Sequence, residues 1–137
     1  MLLQALVLTE LSEACLFVGR VDEARALAAR LLELSHTYTA RGYQAHACRL
    51  LGEVARRCEP LDPDQAAIHY RQALTLAEEV GMRPLVAHCY LGLGRLYHQT
   101  DRGEEARVAL TAAIDLYRAM EMTFWLRQAE ATLAQVR

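Results

Sequence analysis

Residues 84–116 read PLVAHCYLGLGRLYHQTDRGEEARVALTAAIDL, and this stretch decides the fold. Tyr90, Leu93, Gly94 and Tyr97 recur at the spacing i, i+3, i+4 and i+7, which places them on one face of an α-helix. A polar turn at 100–103 follows, and a second apolar stripe at helical spacing comes after it. The stretch therefore predicts two helices joined by a short turn. The second stripe consists of Ala106, Leu110, Ala113, Ile114 and Leu116.

The same unit recurs along the chain. Pairs of a leucine and a small residue stand 40, 42 and 40 residues apart, and alanines of the second helices repeat in register. A near-constant period of this length indicates a helical repeat array. We predict one all-α domain over 1–137 with seven helices: repeat units at about 2–40, 41–81 and 82–121, then a capping helix at about 123–136. The recurring positions are Leu11 and Ser12, Leu51 and Gly52, Leu93 and Gly94, Leu133 and Ala134, with Ala24, Ala66 and Ala106 in the second helices.

The small residues have a steric role in this prediction. Glycine within a helix costs about 1 kcal/mol relative to alanine, so its use twice at one register suggests a packing requirement. We expect Ser12, Gly52 and Gly94 to lie where the first helix of each unit approaches the second, facing the small residues Ala24, Ala66 and Ala106. The tyrosines at repeated apolar positions, Tyr70 and Tyr97 among them, are expected to be packing residues.

Several residues predict where helices begin and end. Asp62, Pro63 and Gln65 have the order of an N-cap, a first-turn proline and a capping-box partner. Gly81 suits the residue that follows a helix C-terminus. Asp22 and Thr123 are candidate N-caps for the second and seventh helices.

Composition narrows the function classes. The formal net charge of the 137 residues is −2, so no global field attracts nucleic acid or an anionic membrane. The apolar N-terminal segment lacks the basic start of a signal peptide, and acidic residues interrupt it before it could span a membrane. The four cysteines lack the spacing of metal ligands and are expected to be reduced, in a cytoplasmic protein.

No catalytic constellation is present in the sequence. There is no nucleophile–base pair or carboxylate dyad, and a phosphate-binding Gly-x-x-x-x-Gly-Lys loop cannot occur because the chain has no lysine. We therefore predict a non-enzymatic protein without a cofactor or metal.

The repeats resemble the tetratricopeptide repeat superfamily. The signature of its first helix is similar to Tyr90, Leu93-Gly94 and Tyr97, and that of its second helix to Ala66, Tyr70 and Ala73. The family's terminal proline is missing, which lets the second helices continue and accounts for the long period. The resemblance implies a right-handed α-solenoid that binds a protein or peptide. The segment 70–125 further resembles the C-terminal repeats of bacterial multidomain signalling proteins, such as ATPase or nucleotide-cyclase fusions and LuxR-type regulators.

In this arrangement the first helices line the concave wall. The polar faces of two of them are rich in arginine and histidine, and an acidic protein or peptide is the expected partner. The family's clamp for chaperone carboxylate tails uses lysine and asparagine, and both are absent from this chain. The predicted binding residues are His46, Arg49, Glu53, Arg56, Arg57, His88, Arg95 and His98.

Other interpretations of this wall stay open. Glu53 lies level with Arg95 on the next first helix, and the two could neutralise each other as an ion pair of small net value. His46 and His88 share a register that suits a metal ligand or pH switch, or simply a position that tolerates imidazole. The wall could also sense an anionic metabolite instead of a peptide.

The first helix is apolar nearly all round its axis. Leu2, Leu3, Leu6 and Phe17 lie on different sides of it. Because a helix that is apolar on all sides is normally buried on all sides, we expect it either to follow preceding repeats or to form a homodimer contact.

Overall fold

The computed structural model describes residues 2–136, and these residues form seven α-helices and no strand. The all-α prediction is therefore confirmed for this part of the chain. The helices are α1 (Leu2–Phe17), α2 (Val21–Thr37), α3 (Arg41–Arg57), α4 (Pro63–Val80), α5 (Arg83–Gln99), α6 (Gly103–Ala119) and α7 (Thr123–Gln135).

Two of the predicted helix ends are confirmed, and two are wrong. The Asp62 side chain accepts a hydrogen bond from the backbone N–H of Gln65 at 3.2 Å, and Gly81 follows α4 with a φ of +84°. Asp22 and Thr123 are not N-caps, because they lie inside the first turns of α2 and α7, where Arg20 and Met122 take the cap position. The cap position therefore lies two residues before Asp22 in α2 and one residue before Thr123 in α7.

Five of the six turns between helices close in the same way. In each, a residue with positive φ follows the helix, and the next backbone N–H donates to a carbonyl five residues back. This pattern is the Schellman motif, which satisfies the last carbonyls of a helix. The residues with positive φ are Gly19, Thr39, Gly81, Asp101 and Glu121.

The stack is curved. Each helix packs on its neighbours in the chain, and α1 also contacts α3, α3 contacts α5, and α5 contacts α7. Across residues 2–136, the second helices α2, α4 and α6 make no such contact with one another. Because the odd-numbered helices lie closer together than the even-numbered ones, the odd-numbered helices form the inner wall of the curve.

Gly52 and Gly94 lie where the first helix of a pair approaches the second, but the nearest side chains are not the predicted alanines. A Cβ atom on Gly52 would lie 3.0 Å from the ring of Tyr70, and one on Gly94 would lie 2.5 Å from Leu110. The sequence missed Gly92, whose Cβ would lie 2.5 Å from Tyr70 Cζ. Tyr70 is therefore held between α3 and α5 by two glycines. Ala66 and Ala106 are fully buried but are not the nearest groups to these glycines. Ala24, predicted to face Ser12, is also fully buried.

One repeat position is also corrected. Leu93 is buried and Leu51 is half-buried, whereas Leu11 at the same register is 47% exposed. On α3 and α5 the preceding helix covers this position, while on α1 it faces solvent. Other large apolar side chains of α1 are exposed as well: Leu2, Leu3, Leu6 and Phe17.

No helix between residues 2 and 136 is both long enough and apolar enough to cross a lipid bilayer.

Candidate functional site

The candidate site is the polar part of the inner wall, where α3 and α5 run side by side. The 42-residue period places Glu53 on α3 level with Arg95 on α5, and His46 level with His88. All four side chains are half-buried. We call this region, together with Arg49 and Arg56 of α3, the inner face.

A network around Glu53 forms the centre of the inner face. The hydroxyl of Tyr70 donates to Glu53 Oε1 at 2.6 Å, and Arg56 donates to Glu53 Oε2 at 2.8 Å. Arg56 also donates from Nε to the Tyr70 oxygen at 3.3 Å and from Nη1 to Gln99 Oε1 at 3.0 Å. Tyr70 is fully buried, and the side chains of Arg56 and Glu53 are only 14% and 12% exposed. The carboxylate of Glu53 is therefore fixed by two helices.

The charges around Glu53 keep it ionised. Burial by itself would raise its pKa, but Arg56, Arg49 and the hydrogen bond from Tyr70 outweigh burial and lower the pKa to about 2. The same contacts raise the pKa of Arg56 despite its burial. Burial and the nearby carboxylate of Glu53 raise the pKa of Tyr70. At neutral pH the network is thus an ion pair with a neutral tyrosine attached.

Arg49 links the inner face to the first helix. It forms an ion pair with Glu13 of α1, and its side chain is 13% exposed. Its Nε atom is buried and has no hydrogen-bond partner within the part of the chain described by the structure. A donor that is buried without a partner costs free energy, so this nitrogen lowers the stability of the fold.

Arg95 stands apart from this pairing. Between residues 2 and 136 it has no carboxylate within 4 Å and no hydrogen-bond partner. Burial lowers its pKa, and Glu53 partly opposes that effect. The Glu53–Arg95 ion pair considered above is therefore not formed, because Arg56 and Tyr70 already occupy both oxygens of Glu53.

His88 closes the inner face toward the C-terminus. Its Nδ1 lies 2.6 Å from the hydroxyl oxygen of Tyr117, and its ring meets the ring of Trp125 edge-on at 4.7 Å. Burial, followed by the positive charge of Arg49, lowers the pKa of His88 to about 4. Burial also lowers the pKa of His46. His88 is thus neutral near pH 7 and cannot act as a switch in the physiological range.

The net charge of the inner face is smaller than the sequence suggested. Three guanidinium groups, those of Arg49, Arg56 and Arg95, face the two carboxylates of Glu13 and Glu53, which leaves one positive charge. Of these three arginines, Arg95 is the one without an ion-pair partner among residues 2–136. The inner face can therefore hold one anionic group, such as a carboxylate, through a charge-assisted hydrogen bond.

Two further predicted residues lie away from this centre. Arg57 is exposed at the last position of α3 and takes part in none of the contacts above. His98 is half-buried and lines a separate hollow of about 310 Å³ between α5 and the end of α7. The structure therefore brings together six of the eight predicted residues.

A family model described as tetratricopeptide repeat matches residues 51–119, which is about half of the chain. The chain belongs to the tetratricopeptide repeat family. No curated protein matches the chain. Tetratricopeptide repeats generally mediate protein–protein interaction and are typically not catalytic. The family thus gives the chain a class of partner, a protein or peptide, but not its identity.

Some residues that take part in the inner-face contacts were not predicted from the tetratricopeptide repeat pattern. Tyr70 stands at a family packing position, and no local pattern in the sequence indicates that its hydroxyl reaches Glu53 on a neighbouring helix. Glu13 has the register of Glu53 one repeat earlier, so the period could have pointed to it as a partner for Arg49. Tyr117 and Trp125 likewise read as packing residues, yet both contact His88.

Proposed function

We propose that this tetratricopeptide repeat protein is a non-catalytic binding module that holds an acidic segment of a partner protein on its inner face. The carboxylate of that segment binds Arg95. The observation that carries the proposal is the state of Arg95, a half-buried guanidinium without a counter-charge in the described chain. A charge that is partly removed from water gains more from an anionic partner than an exposed charge does.

The network around Glu53 supports this assignment. Glu53 could form an ion pair with Arg95 only if its carboxylate moved toward α5. The hydrogen bonds from Arg56 and Tyr70 hold the carboxylate where it is. The rigid network therefore preserves the positive charge of Arg95 for a ligand. Pre-organisation of this kind lowers the entropic cost of binding.

Arg95→Glu tests the proposal. The probe is a fluorescein-labelled hexaglutamate peptide, with hexaglutamine as the uncharged comparison, and fluorescence anisotropy reports binding. We expect hexaglutamate to bind at low salt, hexaglutamine not to bind, and Arg95→Glu to weaken hexaglutamate binding about tenfold or more. Binding should also weaken as ionic strength rises, because surface charge is screened.

Arg57→Glu is the matched control. It makes the same charge change on an exposed residue of the neighbouring helix, outside the inner face. If both variants weakened binding equally, the effect would come from net charge alone and the inner-face site would be rejected. Unchanged binding by Arg95→Glu would reject it as well.

We also propose that the module regulates a multidomain signalling protein of the bacterial type. The support is the resemblance of residues 70–125 to the C-terminal repeats of such proteins. The test is the complete open reading frame that encodes this chain. An ATPase, cyclase or DNA-binding domain in it agrees with the proposal, and an open reading frame that holds repeats alone contradicts it.

A further inference from the structure

An open groove lies on the outer side of the stack, away from the inner face. Its floor is α3 and its walls are α2 and α4, which make no contact with each other within residues 2–136. The groove has a volume of about 560 Å³, with Cys48 on the floor and Leu32 and Leu76 on the walls. We call it the outer groove. Its volume lies in the range of about 300–1,000 Å³ that is usual for ligand pockets.

The repeat register shows which group occupies the equivalent place one repeat later, between α4 and α6. The 42-residue period relates Cys48 to Tyr90, and the 40-residue period relates Leu76 to Leu116. Tyr90 and Leu116 are half-buried, and both pack against the core cluster that α4, α5 and α6 share. The ring of Tyr90 therefore fills a place that the smaller thiol of Cys48 leaves open in the outer groove.

The contacts of Tyr97 show that this side of α5 faces the space between α4 and α6. Tyr97 follows Tyr90 by seven residues and therefore lies on the same side of the helix. Its hydroxyl accepts a hydrogen bond from Arg71 of α4 at 2.7 Å. The guanidinium of Arg102, immediately before α6, lies 4.8 Å from the centre of its ring. Tyr90 thus points between α4 and α6, as Cys48 points between α2 and α4.

The two walls of the outer groove are held apart by their packing on α3. Ala28 and Leu31 of α2, and Ala73 and Ala77 of α4, have no exposed surface, and they lie in apolar clusters with residues of α3. Either helix could move toward the other only by opening a cavity beneath itself, which costs free energy. The outer groove is therefore present before any ligand binds.

The rim of the outer groove is polar, and no carboxylate of the described residues lines it. His36 and Gln72 are exposed at the rim, and Gln44 is half-buried. Arg71 also lines the groove, but its guanidinium donates to Tyr97 on the side of α5. Because a carboxamide offers both a donor and an acceptor, the rim suits a ligand with an uncharged polar group. The apolar walls suit a flat ring between them.

We propose that the outer groove binds a small planar aromatic molecule that carries one uncharged polar group. The ring packs on Cys48 between Leu32 and Leu76, in the place that Tyr90 occupies one repeat later. Contacts between sulfur and an aromatic ring are favourable. The ligand bridges two helices that make no direct contact within residues 2–136, and its binding stabilises the folded chain. The outer groove is separate from the inner face, so this inference goes beyond the proposed function.

The test uses para-cresol, which is the side chain of tyrosine as a free molecule, and its saturated counterpart para-methylcyclohexanol. Amide NMR spectra of the full chain report binding. We expect para-cresol to bind saturably and to shift the backbone signals of Cys48 and Leu76. The saturated compound should bind about threefold or more weakly, because it lacks the flat ring. Absence of saturable binding, or equal binding of the two compounds, overturns the proposal.

Cys48→Tyr fills the outer groove with the ring that the next repeat has, and it should abolish the binding of para-cresol. Val108→Tyr is the matched control, because Val108 is 74% exposed on α6 and lies outside the groove. It should bind para-cresol as the parent chain does. If circular dichroism shows that Cys48→Tyr does not fold, Leu76→Gln decides, because this half-buried wall residue can keep a polar group in water. It should weaken binding about threefold or more, since it removes apolar contact. Unchanged binding by the folded Cys48→Tyr variant, or by Leu76→Gln, overturns the proposal.

Two further measurements define the site. A blocked Gly-Tyr-Gly peptide should bind no more tightly than para-cresol; tighter binding would assign the outer groove to a tyrosine of a partner protein and overturn the small-molecule assignment. Arg95→Glu separates this inference from the proposed function of the inner face. That variant should bind para-cresol as well as the parent chain does, while it loses hexaglutamate. A loss of both probes would show that the two surfaces are not independent, and the separate aromatic site would then be rejected.

Discussion

Glu53→Gln removes the central charge of the inner face and keeps the size of the side chain. In the native state the carboxylate accepts hydrogen bonds from Tyr70 and Arg56, and its side chain is only 12% exposed. Glutamine can still accept the bond from Tyr70, but it leaves Arg56 without its buried counter-charge. We therefore expect Glu53→Gln to destabilise the fold, since removal of one partner of a buried ion pair is strongly unfavourable.

The magnitude follows from the pKa of Glu53. Its native pKa is about 2, compared with an ordinary value of 4.5. A difference of that size corresponds to about 3 kcal/mol of stability at neutral pH. Because the folded pKa is the lower one, this stability is present above pH 4.5 and is lost as the pH falls toward 2. By the same linkage, about 1 kcal/mol remains at pH 3.

The assay is urea unfolding followed by circular dichroism at pH 7 and pH 3. The free energy of unfolding of Glu53→Gln should lie about 3 kcal/mol below that of the parent chain at pH 7 and about 1 kcal/mol below it at pH 3. Glu130→Gln, an exposed residue of α7, should show little difference at either pH. A difference for Glu53→Gln that stays constant between the two pH values would refute the reasoning.

Three further predictions concern the packing around this network. Tyr70→Phe should cost about 1.5–3 kcal/mol in urea unfolding, because it removes a buried hydrogen bond to a charged group; a loss below 0.5 kcal/mol, roughly the effect of an ordinary surface substitution, would contradict the bond. Gly92→Ala should destabilise the fold by about 1–3 kcal/mol, because the added Cβ would meet the ring of Tyr70. The control Gly42→Ala should be neutral or stabilising, because its nearest neighbour is Met82 Sδ at 3.4 Å. Equal effects of the two substitutions would show that Tyr70 can move aside. The ring of His88 should titrate near pH 4 by NMR. Because the unfolded chain binds this proton at a higher pH than the folded chain does, the free energy of unfolding should fall as the pH drops from 6.5 to 4. A titration midpoint near 6.5 would show that His88 is solvated.

The fold could be predicted from the sequence to a large extent. The seven helices, the cap at Asp62 and the glycine stop at Gly81 all follow from local patterns, since a helix stripe and its end signals involve residues within a few positions of each other. The family follows as well, because its signature consists of the small and aromatic residues that let paired helices touch. The predicted N-caps at Asp22 and Thr123 were wrong. The Schellman motif that closes each preceding turn sets where the next helix begins, and no side-chain acceptor is needed there.

The candidate site could be predicted only as a set of residues on one wall. The register placed Arg49, Arg56 and Glu53 on one wall and left open an ion pair between Glu53 and Arg95, whereas the structure pairs Glu53 with Arg56 and Tyr70. The sequence likewise left Arg49 without its partner, Glu13. These contacts join side chains that lie 3 to 43 positions apart, and competition among them decides which donor reaches a given carboxylate.

The sequence alone determined the helices, their period and the family, because each depends on spacing along the chain. The tertiary structure decided which arginine of the inner face has no ion-pair partner among residues 2–136. It also decided which side chains of α1 are exposed to solvent. Both depend on distances between helices that are remote in sequence. Among the described residues of the inner face, Arg95 is left without an ion-pair partner because Tyr70, which packs between Gly52 and Gly92, holds Glu53 in place, and no spacing rule contains that geometry.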